Sequence, residues 1–311
     1  MNRLLFKAVL LLFFANGTVE GRTLQVVTSF SIFGDWVKAI GGQQVSVQNL
    51  VGPDEDLHHY SLKAGDMVKL NRADLIIAQG LHLEPQPLTN ALRTQNSKLL
   101  WLERAYPREK LLAFSSVKQG MMVALPKTGI TGVDPHTWHD PFLVRKALLL
   151  IRDKLIEKDP THCVEYKERY SNYVNELDKL EKWAKKQFAQ VDSTSMLMTI
   201  HGGFAYLAQH YHLPYYSLEA GREEAQLSAK KISFSIDLIK KNKIKYIFLE
   251  KNAERRLAEL IAKPSHTFIV DNLYSDFLSS KDSQASTYLS LMRHNIQQIT
   301  FYLKRRVSYP Q

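Results

Sequence analysis

A long helical segment, residues 160–191, divides this chain into two halves that repeat the same order of elements. Pro160 suits the first turn of a helix, and apolar residues follow it at helical spacing. They are Cys163, Tyr166, Tyr170, Tyr173, Val174, Leu177, Leu180 and Trp183. About thirty residues at about 1.5 Å each make a rod about 45 Å long. Such a rod can join two halves stiffly, or it can pack wholly on one of them.

Short apolar runs alternate with amphipathic helical segments on both sides of this helix. The predicted strands are 24–28, 45–51, 75–78 and 98–102 in the first half and 196–200, 215–218, 246–249 and 267–270 in the second. This alternation predicts an α/β fold with two lobes, each a mostly parallel sheet flanked by helices. The predicted boundaries are 22–159 for the N-terminal lobe, 160–191 for the connecting helix and 192–311 for the C-terminal lobe.

The first 21 residues have a different character. Arg3 precedes an apolar run, and a stretch of small residues ends near Gly21, which is the pattern of a cleavable secretory signal peptide. The apolar run is too short to span a bilayer comfortably. The only cysteine, Cys163, allows no intrachain disulfide, and no cysteine stands near residue 21. We therefore expect a periplasmic protein without a lipid anchor.

The formal net charge of +10 does not indicate a nucleic-acid partner. The lysines are spread along amphipathic helical segments such as 178–186, where acidic residues are interleaved with them, and no aromatic and basic motif accompanies them. This is the pattern of solvated helix faces.

Four polar residues lie at or near the ends of predicted strands or in a stiff loop. His58 follows a strand within an acidic loop, His201 and Asp271 follow two buried strands, and His136 lies in a proline-bounded loop. Ligands of open α/β sheets bind beyond the carboxyl ends of the strands. Three imidazoles and one carboxylate complete a tetrahedral site for a borderline divalent cation.

Each residue also has an ordinary structural interpretation. The eight residues 134–141 carry two histidines and two Asp-Pro pairs, a composition equally typical of a turn that caps the next helix. His58 can be a plain loop histidine, His201 can bond within its own turn, and Asp271 can cap the segment that follows it. Their shared placement favours a site.

Several motifs together resemble one family, in its order and spacing. They are residues 56–66, Arg72-Ala73-Asp74-Leu75-Ile76, Asp134-Pro135-His136-Thr137-Trp138, His201-Gly202-Gly203-Phe204-Ala205-Tyr206 and Asp271-Asn272-Leu273. The chain resembles the TroA-like or ZnuA-like metal-binding proteins of zinc and manganese ABC transporters, cluster A-I, over essentially its whole mature length. The resemblance implies two α/β lobes joined by one long rigid helix. It also implies a divalent metal bound between the lobes and delivered to an inner-membrane permease and its ATPase. We expect a monomer.

The same resemblance assigns the metal ligands to His58, His136, His201 and Asp271, with His59 as a neighbour of the first. Histidine at position 201, where manganese-associated members carry glutamate, favours zinc, and manganese or iron are the other candidates. Two departures from the family pattern stand out. Leu57 replaces a usual proline, and residues 118–133 lack the His-rich stretch of many zinc-specific members.

Two other functions fit parts of the sequence. A secreted zinc hydrolase would keep an open coordination position for water, but a His-Glu-x-x-His signature is absent from the chain. If Asp271 is not a ligand, three histidines and a water would restore this alternative. A binding protein for a small organic solute would have an aromatic, arginine-lined cleft, to which nothing in the sequence points. The principal prediction is a carrier without catalytic activity, in which Asp134 and Glu250 are candidates to orient the histidines.

Overall fold

Two four-stranded parallel sheets, one from each half of the chain, form the framework of the protein. The computed structural model describes residues 22–58, 60–113, 117–118, 121–122, 132–219, 229–251, 253–280 and 283–305. The predicted signal peptide, His59 and most of the segment 118–133 therefore lie outside the described residues.

The first sheet has the strand order β2-β1-β3-β4. Its strands are β1 (Leu24–Phe30), β2 (Val45–Val51), β3 (Leu75–Ala78) and β4 (Leu99–Trp101). The helices of this half are α1 (Ser31–Gly41), α2 (Ala64–Arg72), α3 (Gln86–Arg93) and α4 (Pro141–Lys158), and β5 (Val117–Lys118) pairs antiparallel with β6 (Met121–Met122). The central strand β3 is buried along its whole length, as its continuous apolar sequence predicts for a sheet covered on both faces.

The second sheet has the order β10-β9-β7-β8. Its strands are β7 (Leu197–His201), β8 (Tyr215–Glu219), β9 (Tyr246–Glu250) and β10 (Phe268–Leu273). The helices are α5 (Cys163–Phe188), α6 (Ala205–His210), α7 (Ala229–Asn242), α8 (Arg255–Ser265) and α9 (Tyr288–Leu303). The prediction of an α/β fold with two mostly parallel sheets is confirmed.

The long helix α5 contains 26 residues and follows a 3-10 turn at Pro160–His162. Its buried side chains include Tyr166, Leu177 and Leu180, and it packs against α1 and α4 of the first half and against α9 of the second. It is therefore in contact with both halves, while the domain boundaries at 159 and 191 remain a prediction. Within the described ranges, no helix has the length and apolar character needed to cross a bilayer.

Candidate metal centre

Four side chains from both halves of the chain converge on one point: His58, His136, His201 and Asp276. One nitrogen or oxygen atom from each lies within 4.8 Å of the other three. The shortest separations are 3.0 Å between Nε2 of His201 and Nε2 of His136, and 3.2 Å between Nε2 of His201 and Oδ2 of Asp276. Among the described residues, this is the one group of three or more histidine, cysteine or acidic side chains arranged to hold a metal ion.

His136 is held by a stiff loop between two proline residues. The Asp134 carboxylate accepts hydrogen bonds from the His136 backbone N–H and lies 2.7 Å from its Nδ1, so that Nε2 faces the cluster. Gln79, at the end of the first sheet, donates to the Pro135 carbonyl at 2.6 Å and to Thr137. The side chain of His136 is only 2% exposed, and the contact with Asp134 orients its ring.

His201 is the last residue of β7, where the chain makes a tight turn before α6. A Cβ atom at Gly203 would lie 3.1 Å from Cβ of Ser275 and 3.2 Å from Cδ2 of His201, so glycine allows these segments to approach. The fully buried Glu250 ends the neighbouring strand β9, and its carboxyl accepts the His201 backbone N–H at 3.3 Å. The sheet edge thus fixes the backbone of this histidine.

His58 lies in the loop between β2 and α2. Its side chain is 23% exposed, more than that of His136, the other cluster residue from the first half. Its backbone N–H donates to the carboxylate of Asp56 at 2.8 Å. The next described residue, Tyr60, donates its hydroxyl to Asp66 at 2.6 Å and so attaches the end of the loop to α2.

The carboxylate of this cluster belongs to Asp276, and Asp271, the predicted fourth ligand, lies outside the cluster. Strand β10 continues to Leu273, so Asp271 lies within an edge strand and points outward, 44% exposed and paired with Arg255 at 2.9 Å. Asp276 follows three residues after the strand, is 2% exposed, and accepts a hydrogen bond from Ser275 Oγ at 2.7 Å. An acid between the apolar residues Tyr274 and Phe277 is the sequence signal for a buried carboxylate that needs a partner.

The protonation states suit a cation. Burial raises the pKa of Asp276, but the neighbouring His201 and His136 outweigh it and hold this pKa well below the usual value. Burial lowers the pKa of His58 to about 4, against the opposing charge of Asp276. At neutral pH the Asp276 carboxyl is therefore ionised and the His58 imidazole is neutral. These are the protonation states in which the two groups coordinate metals.

Two atoms of the cluster have unmet bonding capacity. Nε2 of His58 and Oδ1 of Asp276 are buried without a hydrogen-bond partner among the described residues. Leaving such groups unpaired costs free energy, on the order of 1–3 kcal/mol each for neutral groups and more for charged ones. A divalent ion at the centre of the cluster would satisfy both atoms, and the set of three imidazoles and one carboxylate matches zinc or another borderline ion.

The depressed pKa of His58 predicts an acid sensitivity of the metal-free protein. Between pH 6.5 and about 4 the unfolded chain binds a proton at His58 that the folded chain does not. The contribution of His58 to the free energy of unfolding is therefore fully present above pH 6.5. It falls by up to about 1.4 kcal/mol per pH unit as the pH drops toward 4. Urea unfolding of metal-free wild type and His58→Gln at pH 7 and pH 5 measures the difference. We expect the variant to lose less stability over this interval, and equal losses would contradict the assignment.

Comparison with known proteins shows the family of this chain. The family model described as "Zinc-uptake complex component A periplasmic" matches residues 26–301. The manganese-binding lipoprotein MntA of Bacillus subtilis is 28% identical over 296 residues, which covers 93% of this chain and 92% of MntA. The iron-binding protein YfeA of Yersinia pestis is 26% identical over 287 residues, covering 91% of this chain and 88% of YfeA.

Solved structures share the fold over nearly the same extent. The periplasmic zinc-binding protein TroA of Treponema pallidum superposes with a TM-score of 0.81 at 25% identity, covering 92% of this chain and all of TroA. A manganese-bound periplasmic metal-binding protein from Candidatus Liberibacter asiaticus has a TM-score of 0.78 at 25% identity and covers 90% of this chain. These relatives are named for three different metals, so the names do not select one.

The prediction of a periplasmic protein without a lipid anchor is contradicted by the relatives. MntA of B. subtilis is a named lipoprotein, as is SsaB of Streptococcus sanguinis, which is 26% identical over 291 residues. The prediction rested on the absence of a cysteine near residue 21, and the absence of one residue type there does not decide how a protein is held at a membrane.

Proposed function

The chain belongs to the family of periplasmic zinc-uptake component A proteins, and on that premise we propose that it captures a divalent metal ion and delivers it to an ABC-transporter permease. The observation that carries this proposal is the convergence of His58, His136, His201 and Asp276 from separate segments onto one point. Relatives such as SsaB are named substrate-binding components of metal ABC transporters. The metal is the cargo, and the permease with its ATPase is the partner.

Zinc is the cargo we propose. Three imidazole nitrogens and one carboxylate oxygen form a tetrahedral set, the geometry that zinc adopts in closed sites. Manganese prefers oxygen ligands and a higher coordination number, and the cluster offers one carboxylate group among its four ligands. Affinity measured with purified protein does not identify the cargo, because zinc binds a nitrogen-rich site more tightly than manganese or iron does in general.

The site serves capture and release rather than catalysis. Asp276 supplies the fourth protein ligand, so the site is closed even though Asp271 is not part of it. A catalytic zinc ion commonly keeps one position open for water, and four protein donors occupy all the positions of a tetrahedron. This arrangement supports the carrier over the hydrolase.

Elemental analysis of the protein isolated from its own host, without added metal, tests the proposal. We expect one zinc ion per chain in wild type and no bound metal in His136→Ala, because this variant removes the most buried imidazole of the cluster. Circular dichroism verifies that the variant is folded. One manganese or iron ion per chain would change the cargo and keep the function. A wild-type protein without metal, which gains no thermal stability from added divalent ions, would refute the function.

A further inference from the structure

Two loops that carry candidate ligands are tied together at the surface of the protein. One is the His58 loop, residues 52–58, and the other is the Asp276 segment, residues 274–280. The Asp54 backbone N–H donates to the Leu278 carbonyl at 2.9 Å, and the Asp54 carboxylate accepts the Ser280 backbone N–H at 3.0 Å. Asp54 thus makes two hydrogen bonds from the His58 loop to the segment that bears Asp276.

The backbone conformation at Asp54 is special. Its φ is +60°, a left-handed conformation that few residue types other than glycine, asparagine and aspartate adopt at low cost. This conformation turns both the N–H and the carboxylate of one residue toward the Asp276 segment. The two bonds join the loop to positions two residues apart, Leu278 and Ser280, and therefore fix its direction as well as its distance.

The other attachments of the Asp276 segment lie deeper in the protein. Its Ser275 carbonyl accepts the Trp138 indole N–H at 2.8 Å, and its Leu278 N–H donates to Ser31 Oγ at 3.0 Å, both in buried surroundings. Asp54 and Ser280 are instead exposed. Water competes for exposed hydrogen bonds, so the bond between Asp54 and Ser280 opens at a lower cost than the two buried bonds of Ser275 and Leu278.

We infer that Asp54 is a positioning residue for metal retention. By joining the His58 loop to the Asp276 segment, it keeps His58 and Asp276 at coordinating distance. Breaking of the hydrogen bonds made by Asp54 precedes metal release. The inference rests on the proposed function of the cluster. His58 is the ligand that moves, because the bond from Ser280 N–H to Asp54, which holds its loop, is exposed. His136 instead lies in a buried loop, and His201 ends a strand of the second sheet.

Stopped-flow release of Zn²⁺ from loaded full-length mature protein into excess chromogenic chelator tests the role of Asp54. Asp54→Gly and Asp54→Ala both remove the carboxylate, but glycine loosens the left-handed backbone and alanine strains it. We expect both variants to release zinc about tenfold faster than wild type, as the loss of one hydrogen bond to a charged group implies. The thermal midpoint of the metal-free protein separates this effect from a general loss of stability, and we expect it to change little.

Two further variants separate the hydrogen bond from the negative charge. Asp54→Asn keeps a side-chain acceptor and tolerates the left-handed conformation, so it restores slow release. Glu55→Gln removes a charge from the same loop at a side chain that bonds Gly52 instead of the Asp276 segment, and its release rate stays at the wild-type value.

The outcomes distinguish the two proposals. Zinc-loaded wild type with unchanged release from the glycine and alanine variants overturns the role of Asp54 and leaves the proposed function standing. Equally fast release from Asp54→Asn and Asp54→Gly assigns the effect to charge and also overturns it. A wild-type protein that takes up neither zinc, manganese nor iron refutes the proposed function, and the inference about Asp54 falls with it.

Discussion

Replacing Asp276 with alanine is expected to weaken metal binding by more than about 100-fold, whereas Asp271→Ala leaves the affinity unchanged. Loss of a residue that only orients a ligand typically costs 10- to 100-fold in affinity, and Asp276 is proposed as a ligand itself. Its carboxylate oxygens lie 3.2 Å from Nε2 of His201 and 3.4 Å from Nε2 of His136. Competition with a chelator of known zinc affinity measures both variants.

Asp271→Ala is a matched control, since it also removes an aspartate carboxylate, at a position five residues away. Asp271 pairs with Arg255 at the surface, and an exposed ion pair of this kind contributes about 0–1 kcal/mol to stability. Equal losses of zinc affinity in the two variants would mean that the cluster is not the binding site. A loss confined to Asp271→Ala would restore the ligand set that the sequence pattern predicts.

Replacing Trp138 with alanine is expected to lower the free energy of unfolding of the metal-free protein by about 3–5 kcal/mol. The indole is fully buried and packs against Phe30 with ring centroids 5.1 Å apart. Its N–H donates to the Ser275 carbonyl, which the substitution would leave without this partner. The large effect follows from an emptied core position and a broken contact between the His136 loop and the Asp276 segment.

Urea unfolding measures this loss of stability, and two further variants serve as comparisons. Trp138→Phe keeps an aromatic ring in the core but removes the N–H donor, so it should lose less than the alanine variant. Phe268→Ala removes an aromatic side chain that is 50% exposed, and its effect should stay near or below about 1 kcal/mol. A loss below about 1 kcal/mol in Trp138→Ala would contradict the packing described here.

The framework could be predicted from the sequence because its strands are short apolar runs between helical segments. The bounds of β2 and β3 agree residue for residue with the predicted strands 45–51 and 75–78. The predicted elements do not include α3 and α8, although both are amphipathic. Apolar residues recur at helical spacing in α8, as Leu257, Ala258, Ile261 and Ala262, and Pro87 lies in the first turn of α3, where proline is tolerated. Pro264, in the last turn of α8, is the residue that argues locally against a helix.

The candidate site could be predicted as far as the local sequence determines it. His136 lies in a stiff loop and His201 ends a strand, and in such places the position of a residue along the chain also indicates its position in space. The identity of the acid depends on where β10 ends, and this strand runs two residues beyond Asp271 as an edge strand. Contacts across the fold, such as Trp138 with Ser275, bring Asp276 to the cluster, and periodicity along the chain does not encode such contacts.

X-ray absorption at the zinc edge, recorded on the zinc-loaded wild type beside Asp276→Ala, identifies the atoms that bind the ion. We predict three nitrogen donors and one oxygen donor at about 2.0–2.2 Å in wild type, with the protein oxygen lost or replaced by solvent in the variant. Aspartate and water oxygens lie at similar distances, so a crystal structure with an anomalous map assigns each donor to its residue. Zinc between His58, His136, His201 and Asp276 would establish the site, and zinc bound at any other set of residues would contradict it.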